Sequence, residues 1–125
     1  MPVNLKVINA QDFIKTTVTG TLDFAASKQT LLALVSFIKQ PGEYDVLVDT
    51  RETESLLSIA DHYELGEALA YHPMLHQSRV CLLVPTQDSD KAEFFETVAV
   101  NRGAQVKVFA DFEQAMTWLV VRDKA

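Results

Sequence analysis

The feature that most constrains this 125-residue chain is the regular alternation of short β-branched runs with amphipathic, helix-like stretches. Val46-Leu47-Val48 and the segment from Arg79 to Val84 are apolar runs of the kind found in strands that are covered on both faces. The whole chain reads in the order β-β-α-β-α-β-α-β-α. This order predicts an α/β fold with a mixed sheet, whose later strands are parallel and whose helices lie on both faces. The length predicts a single domain over residues 1–125.

The first third of the chain predicts two strands followed by a helix. The alternation from Val3 to Ile8 and the β-branched segment from Phe13 to Val18 indicate strands, with Gly20 ending the second one. Because the connection between them is short, we expect an N-terminal antiparallel hairpin. Asp23 is expected to cap the first helix, and Pro41-Gly42 to stop it. The apolar stripe of that helix has helical spacing: Leu31, Leu34, Val35 and Ile38.

The middle of the chain predicts a buried strand, a polar connection and a second helix. The strand runs from Tyr44 to Val48, and the residues from Asp49 to Leu57 read as irregular. Ser58, with Asp61 three residues later, is typical of a capping box that opens a helix. The inward face of that helix is predicted to comprise Ile59, Tyr63, Gly66 and Ala70, with Gly66 allowing close approach to the sheet.

The last third predicts two further strand–helix units. A strand from Arg79 to Val84 leads through Thr86–Asp90, a turn and cap region, into a helix that reaches Arg102. A final strand around Val106 to Phe109 follows, and Asp111 with Gln114 at the third helical position is expected to cap the last helix. The inward residues of the last two helices are predicted to be Ala92, Phe95, Val98, Ala99, Phe112, Ala115, Trp118 and Leu119.

Composition excludes several classes of function. Eleven basic against seventeen acidic residues give a net charge of −6, which argues against binding to nucleic acid or to an anionic membrane. No apolar run approaches the ~20 residues needed to span a bilayer, and a single cysteine fits a reducing compartment. We therefore expect a cytoplasmic protein. Eight acids and one base, Arg51, lie between Glu43 and Glu67, forming either a solvated surface or a docking face for a basic partner.

No motif of a cofactor site or of a catalytic centre is present. The four glycines are isolated, so neither a dinucleotide fingerprint nor a phosphate loop exists. His72 and His76 have the spacing of a helical metal pair, but Pro73 between them should break the helix, and we expect no metal site. Cys81 lies inside an apolar strand, where burial is expected and nucleophilic activity is not. We expect no cofactor and no catalytic residues.

One candidate ligand or regulatory edge is predicted from topology. Ligands of open α/β sheets gather beyond the carboxyl ends of the parallel strands. Asp49 is predicted to end one strand there, with Ser58, Ser89 and Asp111 at the N-termini of three helices. Helix capping is the default interpretation of the last three residues.

The same residues carry a resemblance to a known family. The hairpin start, the Gly20-x-Leu22-Asp23 entry to a helix, the buried strand followed by Asp49, and the closing segment from Val106 to Trp118-Leu119 resemble the SpoIIAA-like proteins. These proteins are relatives of STAS domains, which have the fold of anti-sigma-factor antagonists. The resemblance covers nearly the whole chain and implies a regulatory, non-enzymatic module that binds a protein partner.

The resemblance also bears on Ser58. In phosphorylatable STAS domains a strand-ending aspartate is followed nine residues later by the serine of an Asp-Ser-Ser-Gly-Leu segment. Asp49 and Ser58 keep that spacing, but the segment here is Leu57-Ser58-Ile59-Ala60-Asp61, which lacks the flanking aspartate, the second serine and the glycine. The sequence therefore favours Ser58 as a helix cap over Ser58 as a phosphorylation switch.

Three classes of function remain open at this point. The first is a protein-interaction module, with a homodimer as a further option. The second follows from the resemblance of the SpoIIAA-like fold to CRAL-TRIO lipid-binding domains and is the binding or carriage of a small lipophilic molecule. The third is an enzyme of a kind that the motifs do not identify. An apolar cavity favours the second class, and an exposed apolar patch beside residues 43–67 favours the first.

Overall fold

The computed structural model describes residues 4–9 and 13–120. Within them lie five strands and four α-helices, with a short 3₁₀ turn, Thr86–Asp88, before the third helix. The strands are β1 (Asn4–Asn9), β2 (Phe13–Leu22), β3 (Asp45–Ser55), β4 (Arg79–Leu83) and β5 (Gln105–Phe109), and the helices are α1 (Phe24–Val35), α2 (Ile59–Tyr71), α3 (Ser89–Asn101) and α4 (Phe112–Val120).

The described strands form a sheet in sequential order, β1-β2-β3-β4-β5. β1 pairs antiparallel with β2, and β2 to β5 run parallel to one another. Parallel strands in sequential order need crossovers of one hand, and these place α1, α2 and α3 on the same face of the sheet. α4 follows the last strand and packs on the opposite face. An α/β fold with helices on both faces is therefore confirmed.

Two hydrophobic clusters lie on the two faces of the sheet. The face under α1, α2 and α3, here called the three-helix face, contributes inward residues such as Ile14, Val46 and Val80 to the larger cluster. The face under α4, here called the α4 face, has a compact cluster made of Leu47, Cys81, Leu83, Ala115 and Leu119. Val46 and Leu47, like Val80 and Cys81, point to opposite faces because successive side chains of a strand alternate.

β3 is longer than the sequence predicts. The strand does not end at Asp49 but continues to Ser55, so the prediction of an irregular segment from Asp49 to Leu57 was wrong. β4 pairs with β3 only from Val46 to Asp49, whereas β2 follows β3 to its end through a register shift between Thr17 and Thr19. The added part of β3 has a strand neighbour on one side only. Because this part of β3 is less covered, its residues are polar. A search of the sequence for apolar runs therefore does not detect it.

The helix caps were predicted more accurately than the ends of the first helix and second strand. The amide of Ala26 donates to Asp23 Oδ1 at 2.8 Å, and the amide of Gln114 donates to Asp111 Oδ2 at 2.9 Å. β2 passes Gly20, where φ is +103°, and continues to Leu22. α1 ends at Val35, well before Pro41-Gly42, with Ser36 as its C-cap. Ile38 is buried although it lies beyond the helix.

Gly66 makes a close approach, but to α3 and not to the sheet. A β-carbon at Gly66 would lie 2.9 Å from the carbonyl oxygen of Phe95 and 3.1 Å from the Val98 side chain. The buried stripe of α2 consists of His62, Leu65, Gly66, Leu69 and Ala70. The predicted inward positions Ile59 and Tyr63 were wrong, because these side chains are 57% and 40% exposed.

Candidate functional site

The four residues of the predicted edge site are divided between the two faces of the sheet. Asp49 lies two positions after Leu47 on β3 and shares its orientation toward the α4 face, where Asp111 begins α4. Ser58 and Ser89 begin the helices of the three-helix face. A sequential strand order has no reversal point, so β2 to β5 lack the crevice that gathers ligands in doubly wound sheets. The four predicted residues are therefore divided between the two faces, and a single site that unites them stays a prediction.

Asp49 is committed to an internal ion pair. Its Oδ1 accepts hydrogen bonds from the Arg51 amide at 3.1 Å and from Arg51 Nε at 3.0 Å, and its Oδ2 accepts from Arg51 Nη2 at 2.9 Å. Burial by itself would raise the pKa of Asp49, but the hydrogen bonds and charge of Arg51, aided by Lys15, hold that pKa below its usual value. The carboxylate is held in its ionised form, and both of its oxygens accept hydrogen bonds from Arg51.

The surroundings of this ion pair join β2 and β3 to α4. Lys15 Nζ lies 5.2 Å and the Arg51 guanidinium 5.7 Å from the centre of the Phe112 ring. Cations at this distance from an aromatic face are attracted to it. Asp111 uses its carboxylate to cap α4. These groups stabilise the packing of α4.

Ser58 forms a complete capping box. Its Oγ accepts from the Asp61 amide at 3.0 Å, and Asp61 Oδ2 accepts from the Ser58 amide at 3.0 Å. This confirms the predicted cap. A phosphate on Ser58 would stand beside the Asp61 carboxylate, and like-charge repulsion opposes it. The geometry thus agrees with the absence of the family's serine-rich segment.

Ser89 differs from Ser58 and Asp111. It is the first residue of α3, while the cap position is occupied by Asp88, whose side chain makes no capping hydrogen bond. The prediction that Ser89 caps α3 was therefore wrong. The sequence does not distinguish these cases because Asp88 and Ser89 are both good N-cap residues in adjacent positions.

The three-helix face contains a cavity of about 120 Å³ between the sheet and α1, α2 and α3. Its walls are mostly apolar, with leucines and valines from β2, β3 and β4 below and from the helices above. The lining residues that matter for recognition are polar and few: Ser27, Thr30, Thr50, Thr53, Ser55, His62 and Asp88.

His62 is a functional candidate that the sequence analysis passed over. It is 7% exposed, and its Nδ1 lies 2.8 Å from the carbonyl oxygen of Ser58. Its spacing to Leu65 and Leu69 is that of one helix face, and this signal would have placed it inward. Ser27 was also missed, because a serine within α1 shows no such pattern.

The remaining titratable candidates have internal roles. Cys81 is buried in β4, as predicted, and burial raises the pKa of its thiol to about 12. His72 Nδ1 accepts from the Met74 amide, and His76 Nδ1 lies 2.9 Å from the carbonyl oxygen of Ala70. Within the described parts of the chain, no group of three or more metal-ligating side chains occurs.

The outer sides of α2 and α3 carry the second candidate surface, here called the α2–α3 surface and defined by Ile59, Tyr63, Glu64, Glu93 and Phe94. The rings of Tyr63 and Phe94 lie 6.3 Å apart, and Phe94 is 37% exposed. Arg102 fixes Tyr63 through a 2.8 Å hydrogen bond to its hydroxyl and is itself paired with Glu67 at 2.9 Å. The surface is therefore apolar, ordered and bordered by acids.

Comparison with known proteins identifies the family. The SpoIIAA-like family model matches residues 13–120. The chain belongs to the SpoIIAA-like family. An uncharacterised protein of the DUF3478 family with a SpoIIAA-like fold, from Shewanella loihica PV-4, is similar in structure, with a TM-score of 0.57, 22% identity and 94% of each chain covered. No functionally curated protein matches the sequence.

The resemblance to SpoIIAA-like proteins is thus confirmed, and at this level of identity the solved structure supports the fold alone. No helix in the described part of this SpoIIAA-like chain has both the length and the apolar run that would be needed to cross a bilayer.

Proposed function

We propose that this SpoIIAA-like chain is a non-enzymatic regulatory module that binds a protein partner through the α2–α3 surface. The observation that carries the proposal is the exposure of Ile59, Tyr63 and Phe94 on adjacent helices. Exposed aromatic side chains on a rigid surface are the residues that dominate the binding energy of protein interfaces. Tyr63 is held by Arg102 before any partner binds, which lowers the entropy cost of association.

The charge around this surface indicates the kind of partner. Glu64 and Glu93 adjoin the aromatic pair in sequence and are exposed, and Asp90 lies one helical turn before Phe94. Arg102, the nearby cation, is neutralised by Glu67. The complementary partner surface is therefore apolar at its centre and basic at its rim, and it associates faster at low salt.

The acidic stretch from Glu43 to Glu67 contributes only in part. Asp45 and Asp49 are buried, so they add nothing to a docking face. Glu52, Glu54 and Glu64 are exposed. We infer that the docking charge resides in the exposed acids of α2 and α3 together with the end of β3.

The test is comparative affinity capture from extract of the cells that produce the protein. Ile59→Ser with Phe94→Ser should reduce capture of a partner at least about 10-fold, because apolar anchors at an interface centre typically contribute more than 1.4 kcal/mol. The matched control is Leu32→Ser with Phe37→Ser, which removes side chains that are 59% and 49% exposed on the surface around α1. Equal capture by both double variants, or capture that is independent of salt, would contradict the proposal.

A second candidate function is the binding of a small lipophilic molecule, and the cavity on the three-helix face favours it. Cavities of this order in protein interiors bind benzene-sized molecules when their walls are apolar. Native mass spectrometry of the protein purified from its own cells tests this function. A mass increment that organic solvent removes is the expected result. The two functions use different surfaces and do not exclude each other.

A further inference from the structure

We propose that the cavity of the three-helix face selects a small neutral molecule with an apolar body and one hydrogen-bond-donating group, such as a phenol or an aliphatic alcohol, and that His62 Nε2 and Ser27 Oγ bind that group. This inference rests on the second proposed function, ligand binding in the cavity, and adds the chemistry that selects the ligand.

Ser27 differs from the threonines that line the cavity, because the hydroxyls of those threonines are hydrogen-bonded and that of Ser27 is not. Thr30 donates to the Ala26 carbonyl at 2.9 Å, Thr50 to the Leu83 carbonyl at 3.0 Å, and Thr53 to the Thr50 carbonyl at 2.8 Å. Ser27 Oγ is buried and has no hydrogen-bond partner among the described residues. Leaving a buried hydroxyl without a partner costs free energy, so a guest that pairs with it is favoured.

His62 supplies an acceptor in the same cavity. Because a carbonyl oxygen can only accept, the 2.8 Å contact with the Ser58 carbonyl places a proton on Nδ1. In the neutral form of an imidazole protonated on Nδ1 the lone pair is on Nε2, and no hydrogen bond to His62 Nε2 occurs among the described residues. The hydrogen bond at Nδ1 also fixes the ring orientation. Nε2 is therefore an acceptor with a fixed position on the lining of the cavity.

The charge of the lining excludes other head groups. Asp88 is the single acidic side chain among the described lining residues, which include no lysine or arginine. A carboxylate or phosphate head would meet a negative charge with no cation to balance it. The unused polar atoms are mainly acceptors, so the matching group on the guest is a neutral donor. The described lining residues available to contact the body of the guest are apolar: Val18, Leu34, Val48, Leu65, Val80 and Phe95.

The volume limits the body of the guest. About 120 Å³ is of the same order as an engineered cavity that binds benzene. Phenol and toluene have nearly the same shape and differ in the hydroxyl group. They are therefore a matched pair of probes, one with the donor and one without it.

The experiment is a titration of the protein with phenol, toluene and benzoate in which NMR of the cavity methyl groups monitors binding. Phenol should bind more tightly than toluene, and benzoate should not bind. Ser27→Ala should weaken phenol about 2- to 10-fold, the effect of losing one neutral hydrogen bond, and leave toluene unchanged. His62→Phe should do the same. Ser36→Ala, which alters an exposed hydroxyl beyond the end of α1, is the control.

Folding is controlled by the choice of variants. Ser27→Ala removes a hydroxyl that has no partner, so the variant should fold at least as stably as the parent. Equal binding of phenol and toluene, with no effect of Ser27→Ala, would overturn the donor-selecting inference and leave apolar ligand binding intact. Absence of methyl shifts with both probes would overturn the inference and the second proposed function together.

Discussion

The two faces of the sheet are built from the same strands but packed in different ways. On the α4 face a single helix covers Leu47, Cys81 and Leu83, and a polar belt of Lys15, Asp49 and Arg51 closes the edge. On the three-helix face three helices share a larger area and leave a cavity of about 120 Å³.

The difference follows from geometry and from polar satisfaction. One helix lies flat on its strands, whereas three helices must pack against the sheet and against one another. Gly66 brings α2 as close to α3 as backbone allows, and this contact is tight while the region beneath α1 is not. On the α4 face Asp49 is fully hydrogen-bonded, but Arg79 Nε beside the Trp118 ring is buried without a partner among the described residues. On the three-helix face Ser27 Oγ also lacks a partner, and Ser27 lines the cavity. The three-helix face therefore combines a cavity with an unpartnered hydroxyl on its wall, and this combination suits a ligand.

Thiol labelling is the most sensitive comparison of the faces. Cys81 and Val80 are adjacent on β4 and point to the α4 face and into the cavity, respectively. Cys81 should react with a small methanethiosulfonate at least about 1,000-fold more slowly in the native than in the unfolded protein, because it must await opening of the core. Its pKa of about 12 adds to this protection, since the thiolate is the reactive species.

The companion variant is Val80→Cys in a Cys81→Ala background. Its thiol lines the cavity, so native labelling should be markedly faster than that of Cys81. Equal protection at positions 80 and 81 would contradict the difference between the faces.

Leucine truncation gives the next largest effect. Leu119→Ala removes a side chain that is 2% exposed in the dense α4 cluster, and it should cost about 3–5 kcal/mol of unfolding free energy. Leu34→Ala, equally buried but beside the cavity, should cost about 2–3 kcal/mol, because fewer contacts are lost there. Urea denaturation measures both. Leu32→Ala, on an exposed position of α1, should change stability by less than about 0.5 kcal/mol. A larger cost at Leu34 than at Leu119 would reverse the comparison.

The sequence predicted the layers of this fold better than its functional site. Strand runs such as Val46-Leu47-Val48 and caps such as Asp23 and Ser58 act locally, through burial and hydrogen bonds within a few residues, so pattern identifies them. The full length of β3 was missed because its last residues pair on one side only and are polar.

The cavity was missed for a different reason. It depends on how three helices pack together, and Ser27, His62 and Asp88 come from three separate helical regions. The inward position of Trp118, by contrast, was predicted from helical spacing. Its side chain is partly buried against the α4 cluster and lies between Phe109 and Arg79.

Substituting a larger side chain should distinguish the two faces by a smaller difference in unfolding free energy. Ala115→Val adds two methyl groups to a position that is 0% exposed and whose carbonyl lies 3.9 Å from Cys81 Sγ, and it should cost about 1–3 kcal/mol. Ala92→Val makes the same change in α3, on the lining of the cavity, where space is available. It should cost less than about 1 kcal/mol and should weaken toluene binding. The midpoint of thermal unfolding and the toluene titration measure the two effects, and equal destabilisation at both positions would mean that the cavity offers no usable volume.

The smallest expected effect concerns the polar belt of the α4 face and its response to pH. Because the pKa of Asp49 is lower in the folded than in the unfolded protein, the unfolded state binds more protons over the interval between the two values. The stabilisation by Asp49 is therefore fully present above the ordinary aspartate pKa of about 3.9, and it is lost as the pH falls through the lowered value. Arg51 is 40% exposed, so solvent screening limits the contribution to about 1 kcal/mol or less.

Asp49→Asn and Arg51→Met should each flatten the fall of the unfolding midpoint between about pH 5 and pH 2.5, because each removes the charge pair whose titration causes part of that fall. His62→Phe, on the other face, should leave this part of the curve unchanged. An acid profile of Asp49→Asn that coincides in shape with the parent's would mean that the ion pair does not hold α4 to the sheet, and that apolar packing alone accounts for the density of this face.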